Sequence, residues 1–336
     1  MINIKKQSLP FVLIISGPTA CGKTFLSLKI AKEFDGEIIN ADMGQFYLPF
    51  SVGTAKPSWQ KEEIKHHLFD IIDSPKSLTV CEYRDLVLEK INEVSSRKKL
   101  PILVGGSLFY IQSLFFPPVD FGVKKTLNFV DKNLKKEELS PWERLKEIDI
   151  DRAKELHPND LYRINRALQI WEEFGVKPSL YKPKFNPLFN FHILFLNPIL
   201  EMIEKNINER TFAMMKGENN WIGEVKEIIG SEWEDFLKEK KLIGYPQILD
   251  WIRDGEDPKT FNLLVEQIQK DTRNYAKRQL VFWKSFRKKI IINCFSKTFG
   301  CGFSQLKNYQ KDANLQLFLK VLKDNLKPFL IHNNHS

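Results

Sequence analysis

The densest chemistry in the sequence is the run Ser16-Gly-Pro-Thr-Ala-Cys-Gly-Lys-Thr-Phe-Leu26. Its Gly17, Pro18, Thr19, Ala20, Cys21, Gly22, Lys23 and Thr24 match the spacing of a phosphate-cradling loop in full. In such a loop successive backbone N–H groups and a helix N-terminus form an anion nest. The lysine adds a positive charge, and the Thr24 hydroxyl is placed to ligate Mg²⁺, held indirectly with the phosphates. The loop selects phosphate oxygens and does not say what they are attached to. A second candidate is Asp42: a carboxylate there could accept a proton, cap a turn or bind Mg²⁺ through water. His66 and His67 are adjacent and so point apart in helix or strand, which favours a structural role over a metal site.

The elements around these residues set their positions. Phe11 to Ile15 is a continuous β-branched and aromatic run that suits a strand buried on both faces of a parallel sheet. A helix begins at Lys23 and is expected to end at Gly36; Glu37 to Ala41 reads as a second strand. Residues 42 to 57, with Gly44, Pro49 and Gly53, read as a long functional loop. A helix near 80 to 97 leads to the strand Leu100 to Val104, which ends in Gly105-Gly106. This alternation predicts an α/β fold: a phosphate-loop NTPase-like parallel sheet core with an inserted helical domain and a helical C-terminal region. The expected divisions are 1–114 with 191–300 as core and C-terminal helices, 115–190 as insertion, and 301–336 as tail. The insertion carries helical periodicity at Trp142 to Leu156 and Leu161 to Phe174; Phe191 to Leu196 returns to the sheet. Ligands would gather beyond the carboxyl ends of the strands, where Gly17 to Thr24, Asp42 and Gly105 to Ser107 converge.

A chain of 336 residues with 43% apolar content can bury a large core. The run Phe11 to Ile15 is far shorter than the ~20 residues of a membrane helix, and no cleavage pattern follows it, so the expectation is a cytoplasmic protein with no membrane partner. Four scattered cysteines without a CxxC pair argue against a disulfide framework or a zinc finger. The net charge of +9 permits a polyanionic partner, and its distribution is informative. The segment KDTRNYAKRQLVFWKSFRKK, residues 270 to 289, holds eight Lys or Arg and one Asp. As a helix it places Lys270, Arg273, Lys277, Lys284 and Lys288 in roughly a 60° stripe, opposite Ile268, Tyr275, Phe282, Trp283 and Phe286. Such a single-sign ridge fits a phosphate backbone, or a merely exposed basic helix.

A kinase or ATPase should add a strand that ends in an acidic residue ordering Mg²⁺. Here the strand at 101 to 104 ends in Gly-Gly-Ser and the strand at 191 to 196 ends in Asn197. A diphosphate bound for another purpose becomes a candidate. The blocks GPTACGKT, NADMGQFY, VGTAKP, HHLFDI, PILVGGSLFY, HPNDLYRINRALQIWE, INERTFAMM, IGY and TRNYAKRQ occur in the order found in the tRNA dimethylallyltransferases (tRNA isopentenyltransferases), bacterial type without a zinc finger. The chain resembles that family from about residue 9 to about 290.

The resemblance implies transfer of a dimethylallyl group from dimethylallyl diphosphate to N6 of the adenosine 3′ of the anticodon. It implies Asp42 as general base and Arg210 with Thr24 at the departing diphosphate, which is cradled by Gly17 to Thr24. Arg210 read alone is a solvated helix arginine. Contacts to the tRNA anticodon stem-loop fall on Asp42, Met43, Gly44, Gln45, Ser107, Tyr162, Arg163, Ile164, Asn165 and Arg166, with Lys270, Arg273, Lys277 and Lys284 from the ridge. Gln45 offers a donor and an acceptor to an adenine edge, and equally could be a plain surface-loop residue; Ser107 could be a helix cap. The expected cofactor is Mg²⁺ and the expected state a monomer. The family pattern is departed from at four places: Met43-Gly44 for Ser-Met, Ser107-Leu-Phe for Thr-Gly-Leu, Asn206 for Arg, and Cys21 for Ser. The competing readings are a phosphate-loop kinase of a small molecule or nucleoside, and an inactive tRNA-binding relative.

Overall fold

A computed structural model describes residues 9–117, 139–180, 183–217, 219–294, 301–306, 316, 318–324 and 326. The described chain forms two compact units, residues 1–115 with 186–336 and residues 116–185.

The first unit is built on a parallel sheet whose strands are β1 (Phe11–Ser16), β2 (Gly36–Asn40), β3 (His66–His67), β4 (Leu100–Gly105), β5 (Asn190–Leu196) and β6 (Cys301–Leu306), in the order β3-β2-β4-β1-β5-β6. β1 is central and buried along its whole length, which is why it reads as an uninterrupted apolar run. Helices α1 (Lys23–Glu33), α2 (Val80–Ser96) and α3 (Leu108–Phe115) connect the first strands. After β5 come α7 (Leu200–Met215), α8 (Trp221–Ile228), α9 (Glu232–Lys240), α10 (Tyr245–Arg253) and the 34-residue α11 (Phe261–Cys294).

Three details differ from the sequence expectations. Gly36 opens β2 and does not close α1, which stops at Glu33; the turn between them uses Asp35 in a left-handed conformation, φ 47°. β3 has only two residues, too few for an alternation to register. β6 lies in the segment read as a tail, pairing with β5 from Phe191 opposite Cys301 to Leu196 opposite Leu306. Further along, Leu319, Leu322 and Leu326 are buried in the same core cluster as Leu13, Leu26 and Ile30, so this part of the tail completes the core beside α1.

The second unit holds α4 (Pro141–Ile148), α5 (Ile150–Lys154) and α6 (Leu161–Phe174). Ser140 and Glu143 form a reciprocal capping box at the start of α4. Leu145, Ala153, Leu156, Ile164, Ala167 and Leu168 make its core.

Candidate active site at the carboxyl edge of the sheet

The loop that leaves β1 is fixed from both sides. Ser16 donates its hydroxyl to the Gly105 carbonyl at 2.8 Å, tying the ends of β1 and β4 together. Gly22 turns the chain into α1 at φ 83°, a left-handed conformation that glycine adopts without strain. α1 then starts with no side-chain cap and no acidic residue in its first turn. Its first turn and cap therefore set no acidic side chain against the positive end of its dipole. Lys23 folds back along the loop, donating to the carbonyls of Gly17 at 3.1 Å and Pro18 at 2.8 Å, while Thr24 is exposed at the mouth. Cys21 is buried and burial pushes its thiol pKa up, so it stays protonated and fills space where the family pattern has Ser.

Two other helices reach the loop. From α7, Arg210 donates from Nη2 to the Thr19 hydroxyl at 2.8 Å, and its buried Nε–H has no hydrogen-bond partner. One turn earlier, Asn206 donates to the Ala20 carbonyl at 3.0 Å; the amide keeps a grip on the loop where an arginine was expected, without its charge. From α11, Gln279 accepts from the Thr19 N–H at 2.8 Å and donates to the Gly106 carbonyl at 2.9 Å. One buried side chain thus joins the phosphate loop to the turn after β4.

Asp42 follows β2 at the same edge. Asn40 accepts from the Asp42 N–H at 2.8 Å and donates to the Leu68 carbonyl at 3.0 Å. The Asp42 carboxylate accepts from Gly44 N–H at 3.3 Å and so caps the short 3-10 turn Met43–Phe46. Ser107 accepts from Met43 N–H at 3.0 Å, and its own N–H donates to the Ala41 carbonyl at 3.2 Å. These contacts need the backbones of β2 and β4 close together: a Cβ on Gly105 would stand 2.0 Å from the Ala41 carbonyl oxygen. Asp42 keeps partial solvent access but is surrounded by protein, and this burial raises its carboxyl pKa above the ordinary value; Lys23, the Gly44 N–H and Arg210 pull the other way without cancelling it. Tyr275 of α11 lies in the same recess, where burial first and the Asp42 charge second keep its hydroxyl protonated.

The structure therefore brings Gly17 to Thr24, Asp42, Ser107 and Arg210 to one edge. Met43 and Gly44 lie in the capped turn beside Asp42. Gln45 is partly committed: its amide donates to the carbonyls of Thr54 at 3.1 Å and Ala55 at 3.3 Å, so its donor side is spent within the protein. In the second unit Tyr162 is 84% exposed, and Arg163, Asn165 and Arg166 are exposed. Ile164 is a correction: it is fully buried in that unit's core and its side chain cannot touch RNA. On α11, Lys270, Lys277 and Lys284 are exposed, whereas Arg273 is half-buried and donates to Asn208 at 2.6 Å. His66 and His67 are spent on the Ile64 carbonyl and Glu37. Among the described residues no His, Cys, Asp or Glu cluster could hold a metal, and no helix is long and apolar enough to cross a membrane.

Gln279 was missed by sequence reasoning, yet it carried a signal. It lies four residues from both Tyr275 and Trp283, on the packed face of α11, where a polar side chain needs a partner. Asn206 stood out in the sequence only as a departure from the family's arginine, and nothing in its spacing pointed to the Ala20 contact.

This geometry agrees with the comparisons. A family model described as IPP transferase matches residues 45–286. The tRNA dimethylallyltransferase of Thermoanaerobacter sp. (strain X514) is 35% identical over 285 residues, covering 82% of this chain and 89% of that protein. That of Bacillus pumilus (strain SAFR-032) is 33% identical over 311 residues, covering 90% and 95%. Among solved structures, a eukaryotic dimethylallyltransferase acting on tRNA superposes with a TM-score of 0.75 at 25% identity, covering 95% of this chain and 80% of that one. The tRNA isopentenylpyrophosphate transferase of Bacillus halodurans gives 0.62 at 25% identity, covering 97% and 100%. With a family match over most of its length and relatives a third identical across more than four-fifths of it, the chain belongs to the IPP transferase family.

Proposed function

We propose that this chain transfers a dimethylallyl group from dimethylallyl diphosphate to N6 of the adenosine 3′ of the anticodon in tRNA, releasing diphosphate. The observation that carries the reading is the convergence of Lys23 and Arg210 on one phosphate loop beside the largely enclosed carboxylate of Asp42. In this reading the N6 lone pair forms the new bond to the prenyl carbon that bears the diphosphate. The carbon–oxygen bond breaks, its electron pair leaves with the diphosphate, and the N6 proton passes to Asp42. The uncapped start of α1, Lys23 and Arg210 meet the negative charge that develops on the departing oxygens. The unpartnered Arg210 Nε–H is a donor held ready for that anion.

Mg²⁺ fits this site only with help from the substrate. With no acidic cluster among the described residues, the Thr24 hydroxyl and the diphosphate oxygens would hold it, a set of hard oxygen donors that suits the ion. When bound it supplies charge neutralisation at the leaving group. The target adenosine must leave its stack to reach Asp42. Asp42 to Gln45, Ser107, the exposed Tyr162, Arg163, Asn165 and Arg166, and the α11 lysines are the surfaces offered to the RNA in this reading, by a cytoplasmic monomer.

The test is one reaction of purified protein, Mg²⁺, dimethylallyl diphosphate and an unmodified anticodon stem-loop, without ATP, read by nucleoside mass spectrometry. The expected product is one isopentenyl unit on the adenosine 3′ of the anticodon. Retained RNA binding with no gain in mass would mean a binding-only protein, and ATP turnover on addition of ATP would mean a kinase.

A further inference from the structure

The loop after the Asp42 turn has an unusual anchor. Glu224 of α8 places both carboxylate oxygens on the backbone of residues 51–53. Oε2 accepts from the N–H groups of Ser51 at 2.8 Å and Val52 at 2.6 Å, and Oε1 accepts from that of Gly53 at 3.2 Å and from the Tyr245 hydroxyl at 2.6 Å. Four donors occupy the four acceptor sites of a carboxylate, so the group is saturated. The same helix closes on the loop with Trp221: a Cβ on Gly53 would stand 2.1 Å from the indole nitrogen.

What the loop supports is the turn beside Asp42. Thr54 donates its hydroxyl to the Phe50 carbonyl at 2.7 Å, and its methyl packs against Gly44, where a Cβ would come within 2.8 Å of it. The carbonyls of Thr54 and Ala55 receive the Gln45 amide. Gly44 in turn donates to the Asp42 carboxylate. A continuous set of contacts therefore runs from Glu224 through residues 51–55 to Gln45, Gly44 and Asp42. None of the hydrogen bonds that hold residues 51–55 reaches the phosphate loop; only Asp42, at the far end, feels the charge of Lys23.

We infer that Glu224 is a positioning residue for base acceptance: by holding residues 51–53 it sets the turn 42–45 against which the target base is placed, independently of the diphosphate cradle. The inference rests on the proposed reading of that turn as the face that meets the base. Its physical basis is the strength of hydrogen bonds to a carboxylate and the cost of leaving the half-buried Val52 and Gly53 N–H groups unpaired. A glutamine at 224 would have half the acceptor capacity and would turn its own NH₂ group on backbone donors.

The test compares wild type with Glu224→Gln, Glu224→Asp and Tyr245→Phe. Hydrogen exchange of amides 51–53 is measured together with the affinity for inorganic diphosphate, and with KM and kcat for the anticodon stem-loop. For Glu224→Gln the expected results are exchange of these amides faster by roughly tenfold or more, a comparable rise in KM for the RNA, and unchanged diphosphate affinity. Glu224→Asp should recover part of the loss, and Tyr245→Phe, which removes one donor of four, should show a smaller effect. Unchanged exchange overturns the anchor. Faster exchange with unchanged KM for the RNA overturns the positioning role, and an equal loss of diphosphate affinity shows general unfolding and overturns it too. Should wild type fail to prenylate the stem-loop, the proposed function falls, while exchange and RNA dissociation constants still decide whether Glu224 sets an RNA-facing turn.

Discussion

In the proposed reaction Asp42 has to act as a base from a largely enclosed position. Enclosure by the sheet edge raises its pKa, and Lys23, the Gly44 N–H and Arg210 limit the rise. A carboxyl accepts a proton only when ionised, so activity should fall as pH is lowered through this raised value. The acid limb of kcat/KM against pH should therefore lie above the ordinary carboxylate range of about 4; a limb inside that range would contradict the burial argument. The linkage runs the opposite way for stability. The folded state holds the Asp42 proton more tightly than the unfolded chain does, so this residue makes folding less favourable as pH rises from the ordinary carboxylate pKa to the raised one. Activity and stability are thus opposed at one side chain. Asp42 and the loop 17–24 were legible in the sequence because their chemistry is local: a spacing of glycines, one Lys-Thr pair and one carboxylate at a strand end. Gln279 and Glu224 were not, since the loops they hold lie 171 or more positions away and only the fold brings them together.

At the scale of elements, α11 joins two tasks. Its inner face buries Ile268, Trp283 and Phe286, with Trp283 stacked on Phe195 at 4.1 Å between centroids, and it carries Gln279 to the phosphate loop. Its outer face exposes Lys270, Lys277 and Lys284. The 3.6-residue period separated these faces in the sequence, because a long amphipathic helix repeats its pattern many times. The same period could not say that one polar residue in the apolar stripe clamps the phosphate loop. β3, with two residues, and β6, in a segment of unremarkable composition, carry no periodicity to read, and only pairing with β2 and β5 defines them. If the outer face meets a phosphate backbone, Lys277→Glu with Lys284→Glu should weaken stem-loop binding and flatten log K against log salt by about two phosphate contacts. The weak 3.9 Å approach of Lys277 to Glu204 is too exposed to compete. An unchanged affinity and salt slope would show the ridge to be merely solvated.

At the largest scale, the strands and helices of the first unit, with its described residues beyond 300, support one edge of one sheet. β1 delivers the phosphate loop, β2 delivers Asp42, β4 delivers Ser107, α7 delivers Arg210 and α11 delivers Gln279, while Leu319, Leu322 and Leu326 close the core beneath α1. The central claim is that this edge uses a phosphate loop for alkyl transfer, with the largely enclosed carboxylate of Asp42 as the base. The most direct measurement is single-turnover prenylation of the anticodon stem-loop by wild type and Asp42→Asn, with the affinities for the stem-loop and for inorganic diphosphate determined on the same preparations. The account predicts a rate lower by roughly 10²- to 10⁴-fold with both affinities within a few-fold of wild type. An Asp42→Asn protein that prenylates at the wild-type rate would contradict it.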